Sequence, residues 1–558
     1  MTDPLPTLGP AVRAQALALL VATMGPVLVW SMGLQGTERP DGNVVFHLVG
    51  TQEPLLLLLS GCALALIAVL ARDASPLEPL RYRPRDVLVM GVIAAGISWL
   101  GWRLVFDQYL LSGDEFLADW AASTLRTGSL EAPVPEHLRG VGAALTSDAR
   151  VNGVAFTGST ETALKIRSAM ADHLAPGAPL IAETGGLNAM IVDSTALPEQ
   201  AVQAIVESAF QSAGQRCSAL RCLYVQEDIA EDLLRMLSGA MDALNLGDPW
   251  LHRTDCGPVI DAEAQGGIRS HIDIARHEGR VLKELQAPQG GTFVAPTMIS
   301  LGGIGQLERE IFGPVLHVAR FRAGELDRVI GEINATGYGL TFGLHTRIDD
   351  RVQHVTEAIH CGNIYVNRNQ IGAIVGSQPF GGEGLSGTGP KAGGPNYLNR
   401  FCAPDLRQSD EDWTAEAAQI PAATGTPQAP QGTTLPGPTG ESNRLTLVPR
   451  PPLLCLGPGR TAQREQADAV RALGGQAICP DGALPPARLD EIKALAGVIW
   501  WGDDARARAY EQALARRNGP ILPLIREMPD VARVQGERHV CVDTTAAGGN
   551  AALLGGLS

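Results

Sequence analysis

The sequence predicts an α/β protein with an apolar N-terminal region and a smaller α/β domain at its C-terminal end. Three observations predict it. From residue 151, short apolar strands alternate with helices of about 12–16 residues, which is typical of parallel βαβ units. Three apolar runs lie within the first 106 residues, and their only charged residue is Arg103 near the end of the third. A second strand-and-helix stretch follows a segment rich in Pro, Thr, Gly and Gln.

Composition narrows the class of protein. The 558 residues contain 44 Lys and Arg against 59 Asp and Glu, a net charge of −15, which disfavours a nucleic-acid partner. Charged residues make up 18 %, below the roughly 25 % of an ordinary soluble domain. This deficit indicates that part of the chain lies in lipid. The nine cysteines form no CxxC pair, so we predict neither a disulfide scaffold nor a metal site.

The apolar runs are predicted to be transmembrane helices at 14–32, 55–71 and 87–106. Each is close to the ~20 residues that cross a bilayer. Four arginines lie between the second and third runs, which places the N-terminus in the cytoplasm and everything after the third run outside. We therefore expect a membrane location and contact with the lipid bilayer. Buried core helices, or a signal peptide at the first run, are the alternative.

An acidic pair, Asp114 and Glu115, follows the third run in the stretch DQYLLSGDEFLADW. Two such carboxylates could act as a general base or hold a metal ion. Residues 17–139 resemble the start of polytopic lipid-linked-sugar glycosyltransferases, which carry an acidic pair in their first large outer loop. The alternative is a solvated helix start with Ser112 as its N-cap.

The central part begins with a strand, VAFT, followed by a turn and a helix. In this turn Gly158 permits close approach to the backbone, and Ser159 can cap the helix that follows. Free amides at a helix N-terminus bind anions, so the turn suits the diphosphate of a dinucleotide. A capped helix with no ligand explains the same residues equally well.

Two further positions carry reactive side chains. Glu183 ends a predicted strand in AETGG, where α/β enzymes collect their active-site residues. Cys217 lies in SAGQRCSA beside Arg216, whose charge favours the nucleophilic thiolate. Taken singly, each is more often a structural residue.

The ordered set GSTE, ETGG, GQRC and EIFGPV identifies a resemblance to the aldehyde dehydrogenase superfamily. The stretches GVAFTGSTETA, AETGGLNAMIVD, SAFQSAGQRCSALRCLYVQED and REIFGPVLHV are similar to one branch, the L-glutamate γ-semialdehyde (pyrroline-5-carboxylate) dehydrogenases of proline utilization A proteins. The stretch from GNIYVNRN to GGPNYL agrees, and the similarity runs from about residue 141 to 403.

This resemblance implies an aldehyde dehydrogenase-like catalytic domain, NAD as cofactor and glutamate semialdehyde as substrate. It implies that Cys217 is the nucleophile and that Glu183 activates water. The remaining implied roles are cofactor binding by Gly158, Ser159, Glu310 and Phe312, and substrate binding by Ser218, Gly372, Ala373 and Phe380.

The tail is similar to the C-terminal domain of the long proline utilization A proteins. The Pro- and Gly-rich segment before it is typical of a flexible linker. The predicted organisation is therefore a membrane region (1–140), a partial NAD-binding domain (141–216), a catalytic domain (217–402), a linker (403–449) and a C-terminal α/β domain (450–558).

Relatives have a long segment before GVAFTGSTE that supplies strands, a lysine and an oxyanion-hole asparagine. Here the membrane region stands in its place, so we expect an incomplete Rossmann-like NAD domain and impaired activity. The related dehydrogenases are cytoplasmic and form oligomers, whereas the predicted topology places this part outside. The alternatives are a non-catalytic membrane-tethered fusion remnant or a truncated glycosyltransferase.

Overall fold

The computed structural model describes residues 141–402 and 404–545. Backbone contacts divide the chain into residues 1–136 and residues 137–558, and the described residues all belong to the second unit. The predicted spans at 14–32, 55–71 and 87–106, and the acidic pair Asp114 and Glu115, lie outside the described residues.

Helices and strands alternate along the described chain. The helices are α1 (Val141–Thr146), α2 (Thr160–His173), α3 (Pro198–Phe210), α4 (Glu227–Asp242), α5 (Ala262–His277), α6 (Leu326–Ala335), α7 (Asp349–Ala358), α8 (Gly459–Ala472), α9 (Asp504–Arg516) and α10 (Val531–Val534). Short 3₁₀ helices cover Gln211–Gly214, Ile304–Gln306, Ala323–Glu325, Leu398–Phe401 and Pro486–Glu491.

The strands are β1 (Val154–Thr157), β2 (Leu180–Glu183), β3 (Ala189–Val192), β4 (Cys222–Gln226), β5 (Val281–Glu284), β6 (Thr297–Ser300), β7 (Val315–Phe321), β8 (Tyr338–Gly339), β9 (Thr341–His345), β10 (Asn363–Val366), β11 (Glu383–Gly384), β12 (Gln431–Leu435), β13 (Glu441–Pro449), β14 (Leu453–Cys455), β15 (Ala477–Ile478), β16 (Gly497–Ile499), β17 (Leu524–Ile525) and β18 (Gln535–Asp543). The strands and helices predicted between residues 151 and 243 are confirmed.

A ten-stranded sheet in the order β12-β13-β18-β10-β9-β3-β4-β7-β6-β5 forms the centre of the fold. Its strands are parallel from β18 to β6 and antiparallel at both ends. A parallel sheet must bury both faces. Along β3, Ala189 and Ile191 therefore join one core with helices α6 and α7, whereas Met190 and Val192 join the opposite core with α3 and α4.

Strands β1 and β2 form a separate two-stranded parallel sheet within the described residues. Alternate residues of β1 are exposed. Helix α2, which follows β1, packs against α9 of the C-terminal part. A buried ion pair joins these helices, with Arg167 Nη1 at 2.9 Å from Glu511 Oε1. The first βα unit is thus supported from the C-terminal part of the chain.

The C-terminal part contains a four-stranded parallel sheet in the order β15-β14-β16-β17, with an apolar core on each face. Strand β18, the last strand of the C-terminal part, belongs instead to the ten-stranded sheet, where it pairs with β10. The segment 403–449, whose composition predicts a flexible linker, contains β12 and β13, which extend the same sheet. The β-branched and apolar residues of GTTL and RLTLV form these strands between the prolines.

The prediction of a membrane location is wrong. Across residues 141–402 and 404–545, no helix is both long enough and apolar enough to cross a bilayer.

Candidate active site

Glu183 ends β2 with its carboxylate enclosed by glycines. Its Oε2 accepts a hydrogen bond from the Gly382 amide at 3.0 Å, and its buried Oε1 has no hydrogen-bond partner among the described residues. A Cβ at Gly381 would lie 2.9 Å from Oε1, and one at Gly387 would lie 3.1 Å from it. Larger residues at these positions would therefore displace the carboxylate. Burial raises the pKa of Glu183, while the Gly382 amide and the Lys391 charge lower it in part.

Lys391 is the buried cation facing this carboxylate. It is 2 % exposed, and its Nζ donates to Asn363 Oδ1 at 2.7 Å and to the Gly381 carbonyl. Burial lowers the pKa of Lys391, and the Glu183 charge opposes that shift. The two buried groups thus influence each other's protonation.

Cys217 is half-buried and follows the 3₁₀ helix Gln211–Gly214. The Asn188 side-chain amide fixes its loop by donating to the Cys217 carbonyl at 2.6 Å and to the Ala219 carbonyl at 2.9 Å. The Asn188 Oδ1 also accepts from the Thr341 amide at 3.1 Å. One buried side chain therefore ties the cysteine loop to β3 and β9.

The pKa of the Cys217 thiol is raised, first by burial and then by the negative charges of Glu310 and Glu183. The effect of Arg216 expected from the sequence is absent from these causes. Arg216 donates to Ser212 Oγ at 3.2 Å. The free thiol is thus protonated at neutral pH and needs a base to become a nucleophile. The charge of Glu183 thus acts on the Cys217 thiol.

Glu310 is bound by a fully buried arginine. Arg221 donates to Glu310 Oε1 from Nη2 at 2.9 Å and from Nε at 3.1 Å. The same guanidinium donates to the Gly214 carbonyl at 2.7 Å and the Arg216 carbonyl at 3.1 Å, both just before Cys217 in the chain. It also lies over the Phe312 ring, 5.1 Å from the centroid. Arg221 therefore links the cysteine loop to two of the predicted cofactor residues, Glu310 and Phe312.

The predicted diphosphate turn is at the N-terminus of α2. Ser159 is exposed and caps the helix, accepting from the Thr162 amide at 3.1 Å. The Gly158 amide donates to the Glu183 carbonyl at 3.1 Å, so this turn adjoins the predicted base. An exposed helix N-terminus suits a diphosphate, a carboxylate such as Glu310 suits ribose hydroxyls, and an exposed aromatic such as Phe312 suits a flat ring. The donor set fits a dinucleotide.

The predicted substrate residues are Ser218, next to Cys217 in the chain, and Gly372, Ala373 and Phe380, which follow β10. The Ser218 carbonyl accepts from Gln370 Nε2 at 3.3 Å, which brings the loop containing Gly372 and Ala373 beside it. Gly372 is exposed with φ of +71°, and a Cβ there would lie 3.8 Å from Arg216 Nη1. Phe380 is half-buried, and its amide donates to the Ala392 carbonyl at 3.0 Å.

Three residues of this site were missed by the sequence analysis: Asn188, Arg221 and Lys391. Asn188 and Arg221 immediately precede strands whose residues are all buried. Polar residues at such positions require buried partners, and this is the signal that could have found them. Lys391 lies in a Gly- and Pro-rich stretch with no local pattern that marks it.

Comparisons with known proteins identify the class. The profile of the aldehyde dehydrogenase family matches residues 130–405. A 1-pyrroline-5-carboxylate dehydrogenase of Bacillus cereus is 34 % identical over 357 residues, which are 59 % of this chain and 68 % of that protein. The chain belongs to the aldehyde dehydrogenase family.

The bifunctional protein PutA of Escherichia coli is 45 % identical over 481 residues, covering 74 % of this chain. The chain spans 36 % of the length of that relative. Among solved structures, a variant of Bradyrhizobium japonicum proline utilization A is 51 % identical over 51 % of this chain and 30 % of its own, with a TM-score of 0.47. By the sequence identities alone, the chain is homologous to PutA and to 1-pyrroline-5-carboxylate dehydrogenases.

Proposed function

We propose that the chain oxidises L-glutamate γ-semialdehyde to L-glutamate with NAD, the reaction of a 1-pyrroline-5-carboxylate dehydrogenase in proline catabolism. The observation that carries this proposal is the Arg221 guanidinium, which joins the Glu310 carboxylate to the Gly214 and Arg216 carbonyls just before Cys217. The charges of Glu310 and Glu183 both raise the pKa of the Cys217 thiol. The names of the relatives, PutA and 1-pyrroline-5-carboxylate dehydrogenase, support the choice of substrate.

Cys217 begins the reaction as a thiol, because its pKa is raised. Glu183 accepts the thiol proton, a task that its own raised pKa favours. The thiolate then forms a C–S bond with the aldehyde carbon as the carbonyl π bond breaks, giving the alkoxide of a thiohemiacetal. Bound NAD supplies the hydride acceptor. Loss of the hydride from that carbon leaves a thioester on Cys217.

Glu183 also serves the second half of the reaction. Once it has released the thiol proton to solvent, Glu183 takes a proton from water, which attacks the thioester carbon and forms a new C–O bond. The C–S bond breaks and Cys217 is released as glutamate leaves. The glycines around the carboxylate leave its Oε1 free for this exchange of protons within the described structure.

The substrate also carries a carboxylate and an amine. The loop of Gly372 and Ala373, beside Ser218, offers backbone amides that suit the carboxylate because they donate hydrogen bonds without a full positive charge. Phe380 provides an apolar wall. These assignments make specificity for glutamate semialdehyde over a plain aldehyde depend on this loop.

We further propose that NAD binds weakly. The diphosphate turn is carried by a two-stranded sheet in the described structure, and β1 is half exposed. The comparisons do not favour the alternative of a membrane-tethered remnant or a truncated glycosyltransferase.

The test is reduction of NAD by the purified full chain in the presence of glutamate semialdehyde, followed by absorbance. Cys217→Ser should abolish the signal, whereas Cys402→Ser, a change at an exposed cysteine, should leave it unchanged. Equal rates for the wild type and Cys217→Ser would overturn the proposal. Equal turnover of propionaldehyde and glutamate semialdehyde would overturn the assigned substrate.

A further inference from the structure

A cavity of about 530 Å³ lies behind the glycine-rich loop that encloses Glu183, between that loop and the C-terminal part. Its volume is in the range that holds small ligands. Its walls include charged side chains that no step of the proposed reaction uses: Glu383, Arg400, Arg450, Arg533, Glu537 and Arg538.

Acidic groups already neutralise most of these arginines. Three close contacts are Arg400 with Asp530 at 2.8 Å, Arg533 with Glu527 at 2.8 Å and Arg538 with Glu383 at 3.5 Å. Glu537 is also occupied, since it accepts from the Lys391 amide at 2.7 Å and from Asn396 Nδ2 at 2.8 Å.

Arg450 differs from the other three arginines. Its Nε donates to the Gln535 carbonyl at 3.3 Å, and among the described residues no carboxylate lies within ion-pair distance of it. Its Nη2 passes over Gly389, where a Cβ would lie 2.8 Å away. The guanidinium is therefore fixed by the hydrogen bond of its Nε and by its packing over Gly389. Its terminal nitrogens, Nη1 and Nη2, have no hydrogen-bond acceptor in the described part of the chain.

The surroundings of Arg450 favour a negative ligand. Burial lowers the pKa of Arg450, and the charges of Arg533 and Arg400 lower it further, against the opposing effect of Glu383 and Glu537. The buried Nε atoms of Arg533 and Arg538 also have no acceptor among the described residues. An anion in the cavity would supply acceptors to the terminal nitrogens of Arg450 and reduce the repulsion between neighbouring guanidinium groups.

We propose that this cavity is a binding site for a small anion that presents two oxygens to the Arg450 guanidinium, as a carboxylate or a phosphate does. Planar, two-point contact of this kind is the geometry that an arginine fork prefers. The site is separate from the cysteine loop and does not depend on the proposed oxidation.

Calorimetric titration of the full chain with inorganic phosphate, and separately with succinate, tests the site and distinguishes the two sources of the ligand group. Sodium chloride at matched ionic strength is the control for screening. Arg450→Gln should weaken binding of the preferred anion about tenfold or more, because a charged hydrogen-bonding pair is lost. Arg444→Gln, at an exposed arginine on β13, should not change it. Absence of saturable heat with both anions, or equal affinity in wild type and Arg450→Gln, would overturn the proposal.

A second measurement uses the unaltered chain and does not depend on the folding of a variant. Phenylglyoxal modifies accessible arginines, and mass spectrometry of peptides reports each site. The bound anion should slow modification of Arg450 and leave Arg444 unaffected. Equal protection of both residues, or of neither, would contradict a specific site.

Discussion

Replacing Arg221 with Met tests how strongly the active site depends on one buried cation. The Arg221 side chain is fully buried, and its guanidinium donates to Glu310 and to the carbonyls of Gly214 and Arg216. Methionine fills similar space but donates no hydrogen bond. The change leaves the Glu310 carboxylate, 15 % exposed, without its cation.

The expected cost follows from this geometry. Breaking a buried ion pair by removing one partner destabilises a protein by roughly 3–5 kcal/mol, because the remaining charge is uncompensated. Arg320→Met is the matched control, since Arg320 pairs with Glu231 at the surface with side chains 46 % and 80 % exposed. Exposed pairs contribute only about 0–1 kcal/mol.

Urea unfolding followed by circular dichroism measures both variants. The Arg221→Met variant should unfold at a clearly lower urea concentration, whereas Arg320→Met should stay close to the wild type. Adding Glu310→Gln to Arg221→Met should recover part of the loss, because the unpaired charge is removed. Equal midpoints for the two single variants, or no recovery in the double variant, would refute the reasoning.

Three other predictions concern the cysteine loop and the base. Asn188→Ala should destabilise the chain by about 2–4 kcal/mol in urea unfolding, because three buried partners lose their hydrogen bonds. Asn152→Ala, at an exposed position, should have little effect. Equal losses of stability in the two variants would contradict the role of the Asn188 amide. Iodoacetamide should alkylate Cys217 slowly at neutral pH and faster as pH rises, because the pKa of its thiol is raised. Glu310→Gln should shift this pH profile to lower pH, because it removes a negative charge that acts on the thiol. An unchanged profile would contradict the effect of Glu310 on the pKa of Cys217. Because burial raises the pKa of Glu183, the rate of thioester hydrolysis should fall with decreasing pH already at pH values where an exposed carboxylate is still ionised. A rate that stays constant down to the ordinary carboxyl pKa range would exclude Glu183 as the base.

Much of the central fold follows from local sequence. The runs AMIV and CLYV are short, apolar and followed by amphipathic helices, which is sufficient to predict buried parallel strands. Glu183 and Cys217 could be proposed as catalytic residues because the glutamate is at a strand end and the cysteine is in a loop. Both also lie within a set of motifs that resembles one family. Local pattern and motif thus predicted the same site.

Other features depend on contacts between distant parts of the chain. The partners of Arg221 and Asn188 are set by tertiary packing, which strand and helix periodicity does not encode. The raised pKa of Cys217 has the same origin, since burial and the charges of Glu310 and Glu183 raise it and the neighbouring Arg216 is not among its causes. Strand β13 pairs with β18, about 90 residues later in the chain, so the Pro-rich composition around it gave no sign of the sheet.

Mass spectrometry of the chain in the acyl-enzyme state tests the central claim most directly, that Cys217 and Glu183 act on one substrate. Glu183→Gln should slow hydrolysis, so that incubation with NAD and glutamate semialdehyde leaves a glutamyl thioester on the Cys217 peptide. Omitting NAD should prevent it, because the aldehyde is then not oxidised. An unmodified Cys217, or a thioester equally abundant on Cys402, would contradict the account.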